Sequence, residues 1–446
     1  MLVSPGSRAA ALVACGALLL AGAGCGPDKS EEATTTPRVR LYGSDGNMTN
    51  AYIAELKERA DLVDGMKGTV PSTPLPDSFK NRLRVVDPKL GDYLYSAESY
   101  DAVVISALAT QLAGSTEPAE IAKQIVGVTN NGQRCEKVAD CLKLAREGRD
   151  IEYRGISLNR AGFTDAGEPA TASYATLTFG PQKLDDGKTE FVGAGDESAA
   201  STRNPPRPRA KRGGTAGAPL VLGGLLPRTG DLALAYPPLA AGVALAIKEI
   251  NAVGGVLGEP VRWRDGDDGT NPAVAKATVA EHVKDGVPVI IGAGGSGISR
   301  AVLPDVVAAG RVLFSPSNTD AGLTSMDDRG LYFRTAPPDS LQGRALADVI
   351  LRDGPHRIVL VARKDSYGEG LQETVRAELD RAGVGSDRVK LLTYDPPADP
   401  GAPPLDFRTG AREVKDFGAE AVLIIGFAES AQVIRALADA GVQIQH

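Results

Sequence analysis

Two short loops place hydroxyls among glycines in a pattern suited to holding an anion. Gly292-Ala293-Gly294-Gly295-Ser296-Gly297 follows the apolar run Val289-Ile290-Ile291 and leads into a helical pattern over residues 299–309. Ser296 therefore offers a hydroxyl and backbone N–H groups at a helix N-terminus, where unpaired donors and the helix dipole favour a carboxylate. The next apolar run, Val312-Leu313-Phe314, ends in Ser315-Pro316-Ser317-Asn318-Thr319, a second set of donors at the same sheet edge. Ser296 and Thr319 are also residue types that simply cap helices. A serine nucleophile elbow needs glycine two residues beyond the serine; Ile298 stands there, and no histidine motif accompanies it. The glycines have G-x-G-x-x-G spacing but lack the rest of a dinucleotide fingerprint. The three histidines, His282, His356 and His446, stand in no metal-ligand spacing. Binding without an enzyme activity, a metal or a cofactor is the expectation.

The elements that must position these loops alternate. Short apolar runs at 220–226, 260–264, 289–291, 312–314, 358–361, 389–392 and 421–425 are separated by helical patterns at 239–250, 272–283, 299–309, 370–382 and 430–440. Strands alternating with helices of this length predict an α/β fold of parallel sheets with right-handed crossovers. Ligands on such sheets bind at the carboxyl ends of the strands. At 446 residues the chain suits two or three domains. The series that runs into Ala438-Asp439-Ala440-Gly441-Val442 calls for one more strand, and Val39-Arg40-Leu41-Tyr42, followed by the turn Gly43-Ser44-Asp45-Gly46, resembles one. Residues 193–218 are rich in Gly, Ser, Ala, Pro and Arg and read as a linker. The basic cluster there (Arg203, Arg207, Arg209, Lys211, Arg212) reads as solvated, with anionic lipid as the alternative contact. A net charge of −7 spread along the chain gives no reason to expect nucleic acid.

The first residues read as a signal. The apolar run at 9–24 is short for a membrane span and right for a signal-peptide core. It ends in Gly22-Ala23-Gly24-Cys25 before a polar, acidic stretch, which resembles the lipobox of bacterial lipoproteins. That resemblance makes 1–25 a signal peptide, Cys25 a lipidated residue, 26–37 a tether and the protein extracytoplasmic and membrane-anchored. Leu12-Val13-Ala14-Cys15 is the competing cleavage site. Export favours oxidation, so Cys135 and Cys141 read as a small local disulfide, with two buried thiols as the alternative.

Several segments together resemble the type I periplasmic-binding-protein superfamily, specifically the leucine/isoleucine/valine-binding receptors of ABC importers. The carriers are Gly230-Asp231, Ile250-Asn251-Ala252-Val253-Gly254-Gly255, Ser315-Pro316-Ser317-Asn318-Thr319 and Asp365-Ser366-Tyr367-Gly368-Glu369-Gly370, then Tyr42-Gly43-Ser44-Asp45-Gly46 and Glu98-Ser99-Tyr100-Asp101-Ala102. The order is circularly permuted: 219–446 is similar to the family's first part and 38–191 to its last, joined through a flexible linker at 192–218. The resemblance implies two Rossmann-like lobes with parallel sheets and a hinge. One lobe would use about 219–335 and 69–150, the other 336–446, 38–68 and 151–191, and strand 39–42 would lie parallel to strand 421–425. It further implies an amino-acid-like ligand and an ABC permease as partners. Ser296 and Thr319 match carboxylate-holding positions, the Ser317 carbonyl an ammonium-holding one, and Asp45 the acid that faces the ammonium. Tyr367, Phe427 and Tyr95 match aromatic walls. Where relatives have Tyr-Gly, this chain has Ala235-Tyr236, so one wall tyrosine is missing or shifted. A sensor ectodomain is the rival reading, and a rearranged gene product without transport function the other.

Overall fold

The apolar runs become strands, most of them buried, of two mainly parallel sheets in a computed structural model that describes residues 38–207, 218–398 and 402–446. Residues 1–37, with Cys15 and Cys25, lie outside the described residues, as do Arg209, Lys211 and Arg212. The smaller sheet has five parallel strands in the order Tyr332–Arg334, Val312–Ser315, Val289–Gly292, Val221–Leu225, Arg262–Arg264. Strands buried on both faces read as continuous apolar runs because each face is covered by helices. Helices Tyr236–Ala252, Pro272–Lys284 and Ser296–Ala308 cover this one, together with Ser96–Ala113 from the first half of the sequence.

Every residue of helix Ser96–Ala113 is buried, its polar side chains such as Glu98 and Asp101 enclosed together with the apolar ones, so no face is left to solvent. It lies close against helix Tyr236–Ala252, where a Cβ on Gly242 would stand 2.2 Å from Ser99 Oγ. Ser99 Oγ donates to Leu239 O at 2.9 Å across that contact. Residues 96–113 and 236–252 therefore share one core.

The larger sheet has eight strands. Its main path runs Val389–Tyr394, Ile358–Arg363, Ala421–Ile425, Arg38–Gly43, Lys67–Pro71, Thr171–Thr178, Glu190–Gly195, with Gln443–Ile444 also paired to Arg38–Gly43. The strand expected beside 421–425 is there: Arg40, Leu41, Tyr42 and Gly43 pair in parallel with Ala421, Val422, Leu423 and Ile424. Leu41 and Tyr42 are buried, so the strand is a central member of its sheet. Thr171–Thr178 and Glu190–Gly195 extend that sheet with antiparallel pairing.

Two boundaries differ from expectation. Ile151–Tyr153 does not join the larger sheet; it pairs in parallel with Gln133–Cys135 and packs with the helices of the smaller half. Only four residues separate Ile151 from the helix that ends at Arg146, which keeps the strand beside it, and Cys135 is disulfide-bonded to Cys141 in that helix. Second, Glu190–Gly195 carries sheet structure into the stretch read as a linker from 192, and Ser201 is buried beyond it.

Candidate functional site

The loop Gly292–Gly297 turns from strand into helix by a path that few side chains would allow. Gly292 has φ +143°, and a Cβ there would meet Leu225 O at 2.1 Å. Asp268 holds the loop from below, accepting from Gly294 N through Oδ2 and from Thr270 N through Oδ1, each at 2.7 Å. Burial pushes the Asp268 carboxyl up to about 7, against these backbone bonds. Ser296 then begins the helix Ser296–Ala308, and its Oγ accepts from Thr319 N at 3.2 Å and Asp320 N at 3.3 Å. Both lone-pair sites are used, which leaves the hydroxyl proton as the group Ser296 can still donate.

The second loop is fixed from the opposite side. Arg334, fully buried, donates to the carbonyls of Asn318 (3.2 Å) and Asp320 (2.8 Å) while pairing with Glu168 at 2.5 Å. Thr319 is thus placed by its neighbours' carbonyls, and its own hydroxyl is buried without a partner. The Ser317 side chain is spent on Gly294 O at 2.9 Å, so a role for Ser317 falls to its backbone. Across from Ser296 stands the start of helix Ser366–Arg381: a Cβ on Gly297 would lie 3.8 Å from Ser366 Oγ.

Asp45 follows strand Arg38–Gly43 and is buried. Its Oδ2 accepts from the Tyr95 hydroxyl at 2.7 Å, and its Oδ1 from the Tyr367 hydroxyl at 2.8 Å and Gln342 Nε2 at 3.0 Å. Burial raises its carboxyl above the ordinary range, and the three hydrogen bonds pull the other way. Tyr95 carries φ +57°, an uncommon conformation for an aromatic residue, at the start of helix Ser96–Ala113. That conformation is where the helix of the smaller half delivers a hydroxyl to an acid of the larger one. Tyr367 stacks on Phe427 with ring centroids 5.3 Å apart and planes 16° from parallel. Arg363 lies 3.9 Å from the Phe427 ring centroid and is held by Glu429 at 2.8 Å and Asp365 at 2.6 Å. The aromatic wall is therefore clamped by a buried cation.

Ser296, Thr319 and the Ser317 backbone come from the smaller half, and Asp45, Tyr367 and Phe427 from the larger. Tyr95 bonds directly to Asp45. Tyr236 lies under Arg228, whose guanidinium is 5.8 Å from the ring centroid, and is half-buried. Sequence reading missed Asp339 and Gln342, which begin the helix Asp339–Arg352 and are both buried. The signal that could have found them is their spacing of three, which puts two polar side chains on one helix face. Among the described residues no group of three or more His, Cys, Asp or Glu is placed to hold a metal ion.

The chain is similar to known proteins over part of its length. The Leu/Ile/Val-binding protein homolog 3 of Brucella melitensis is 29% identical over 230 residues, 51% of this chain and 60% of that protein. The Leu/Ile/Val-binding protein BraC3 of Rhizobium johnstonii is 30% identical over 170 residues, 37% of this chain and 46% of its own. Among solved structures, the branched-chain amino acid transporter substrate binding protein LivJ of Streptococcus pneumoniae, in complex with isoleucine, has a TM-score of 0.43 at 23% identity. The match covers 51% of this chain and 63% of that one. The leucine binding protein LivK of Thermotoga maritima has a TM-score of 0.44 at 23% identity, over 50% and 61% of the two chains. In each case the match spans less than two thirds of the relative. The sequence profile described as periplasmic binding protein matches residues 219–446, more than half of the chain; the chain belongs to the periplasmic binding protein family.

Proposed function

We propose that this protein is an extracytoplasmic solute-binding lipoprotein of an ABC importer, closing two α/β halves over an amino acid or close analogue. The observation that carries the reading is the meeting of two opposite polar sets. A helix N-terminus with Ser296 and the unpartnered Thr319 hydroxyl suits a carboxylate. Buried Asp45, with the Ser317 carbonyl, suits an ammonium, and Tyr367, Phe427 and Tyr95 form the wall. Charge-assisted bonds contribute roughly 1.5–3 kcal/mol each, so a few suffice for micromolar affinity at about −8 kcal/mol.

The order of segments belongs to the same proposal: 38–191 takes the place of the family's last part and 219–446 of its first, joined through 192–218. The parallel pairing of Leu41 with Val422 supports it. Membrane attachment through Cys25 and delivery to a permease complete the reading. Isothermal titration of the full chain, in detergent, against a panel of amino acids and small amides tests it. Micromolar binding of an amino acid is expected, and no binding by any zwitterion overturns it. Cys25→Ala is expected to move the protein from the membrane to the soluble fraction; continued pelleting with Cys25→Ala overturns the anchor.

A further inference from the structure

A second cavity, of about 430 Å³, shares no residue with the set assigned to the amino acid. One wall comes from the larger sheet, with Val70 on strand Lys67–Pro71 and Ala175 and Leu177 on strand Thr171–Thr178. Phe191, 46% exposed, lines it from the edge strand Glu190–Gly195. Helix Asp77–Val86 forms the opposite wall, and that helix packs against Tyr236–Ala252 of the smaller half. Both halves of the molecule therefore contribute. An apolar wall joined to a half-exposed aromatic ring favours the apolar body of a ligand.

The polar part of the lining has one dominant sign. Lys80 and Arg84 stand one turn apart on helix Asp77–Val86, and both approach the same ring. Lys80 Nζ is 5.6 Å and the Arg84 guanidinium 5.5 Å from the Tyr93 ring centroid. Like charges four residues apart on a helix repel, and an aromatic face shared between them offsets that only in part. Lys183 adds a third cation, from the loop between strands Thr171–Thr178 and Glu190–Gly195. Among the described residues none of the three is ion-paired, and Arg84 donates to Asn81 Oδ1 at 3.4 Å.

Two acids share the lining. Asp92 is turned to backbone, accepting from Leu94 N at 3.5 Å, and Asp186 is exposed on the turn Asp186–Lys188. Three cations against two acids leave one positive charge, which suits a single anionic group and disfavours a polyanion. The Tyr93 ring is fixed by its backbone: Tyr93 O accepts from Ser96 N at 3.0 Å and Ser96 Oγ at 2.8 Å. Its hydroxyl is buried without a partner, an unmet donor on the ring that the two cations approach.

We propose that this cavity is a second ligand site, which takes a small amphipathic monocarboxylate. The carboxylate lies among Lys80, Arg84 and Lys183, and the apolar body lies against Val70, Leu177 and Phe191. The site is independent of the amino-acid reading and stands or falls separately from it.

Titration calorimetry on the full chain in digitonin, a neutral detergent without an alkyl tail, tests it with 4-phenylbutanoate and its neutral counterpart 4-phenylbutan-1-ol. Wild type is expected to bind the carboxylate at least fivefold more tightly than the alcohol. Lys80→Gln combined with Arg84→Gln, at a half-buried and an exposed position, is expected to weaken the carboxylate at least fivefold. Amino-acid titration on the same preparation, expected to be unchanged, reports that the double variant is folded. Lys80→Glu combined with Arg84→Glu is expected to reverse the preference, binding 4-phenylbutan-1-amine more tightly than 4-phenylbutanoate. No binding of 4-phenylbutanoate by wild type, or a preference over the alcohol below fivefold, overturns the proposal. A loss below fivefold in the glutamine variant places the probe elsewhere and overturns it too, as does a retained preference for the carboxylate in the glutamate variant. Each of these outcomes leaves the amino-acid reading intact.

Discussion

The Tyr367 hydroxyl donates to Asp45 Oδ1 at 2.8 Å, across 322 residues of chain. Ser44 Oγ lies 2.8 Å from the same hydroxyl and donates to it in turn. Tyr367 therefore does two things at once: its ring stacks on Phe427, and its oxygen fixes the acid. Tyr367→Phe separates them, keeping the stack and removing the donor. Amino-acid binding is expected to weaken by about 1.5–3 kcal/mol, the range for hydrogen bonds to charged groups. Calorimetric titration checks it; unchanged affinity would show that Tyr367 acts through its ring alone.

Arg334 is the largest fully buried side chain, and it holds the carbonyls on either side of Thr319. Arg334→Met keeps much of the volume but leaves Glu168 buried and unpaired. Breaking one side of a buried ion pair costs about 3–5 kcal/mol. Urea unfolding should show a loss of that size, and ligand affinity should fall as well because the Thr319 loop loses its anchor. A loss below about 1 kcal/mol would mean that Glu168 finds water or another donor.

The loops proposed to bind were legible because their signal is local. A buried strand, a glycine-rich turn and a helix start are contiguous at 289–299, so Ser296 could be placed without knowing the fold. Strand 39–42 was legible only as half of a pair, from an apolar run and a turn that match a series elsewhere in the chain. Asp339 was missed, its spacing of three from Gln342 being the one signal it offered. After Pro337-Pro338 an acid at a helix start reads as ordinary first-turn chemistry, and its burial comes from strands Lys67–Pro71 and Thr171–Thr178 folding over it from far away in sequence. Glu190–Gly195 was missed for the opposite reason. It is an edge strand, mostly exposed, whose Gly and Ala residues give no alternation to read.

Glu98 makes stability depend on pH. Its carboxyl is buried, and desolvation, with the charge of Asp101 adding to it, raises it from the usual 4.5 to about 8. The folded state therefore holds this proton more tightly than the unfolded chain. The stabilisation is complete below about pH 4.5 and is lost as pH rises through about 8. Glu98→Gln keeps a neutral side chain of the same shape at every pH. It should be more stable than wild type by on the order of 1–4 kcal/mol at pH 8, and no more stable at pH 4. Urea unfolding at pH 4, 6 and 8 measures the difference, and a difference independent of pH would assign the titration to another group.

The last prediction concerns how residues 38–191 and 219–446 fold together. Leu41 is fully buried between Ala421–Ile425 and Lys67–Pro71, and Leu41→Ala should cost about 2–5 kcal/mol. The informative quantity is where that loss is felt. Trp263, the single tryptophan, lies on strand Arg262–Arg264 of the smaller sheet, away from Leu41. That sheet is covered by helix Ser96–Ala113, which the chain reaches only after passing through Arg38–Gly43 and Lys67–Pro71 of the larger sheet. Tyr95, at the head of that helix, is also bonded to Asp45, just beyond Leu41. Loosening strand Arg38–Gly43 should therefore release a helix that the Trp263 half needs for its core. Trp263 fluorescence and far-UV circular dichroism are expected to shift together in Leu41→Ala, in one transition. If the two sequence segments were separate globules, the fluorescence transition would stay at its wild-type midpoint while part of the dichroism signal moved. That outcome would break the link between strand Arg38–Gly43 and the half of the site that holds Ser296 and Thr319.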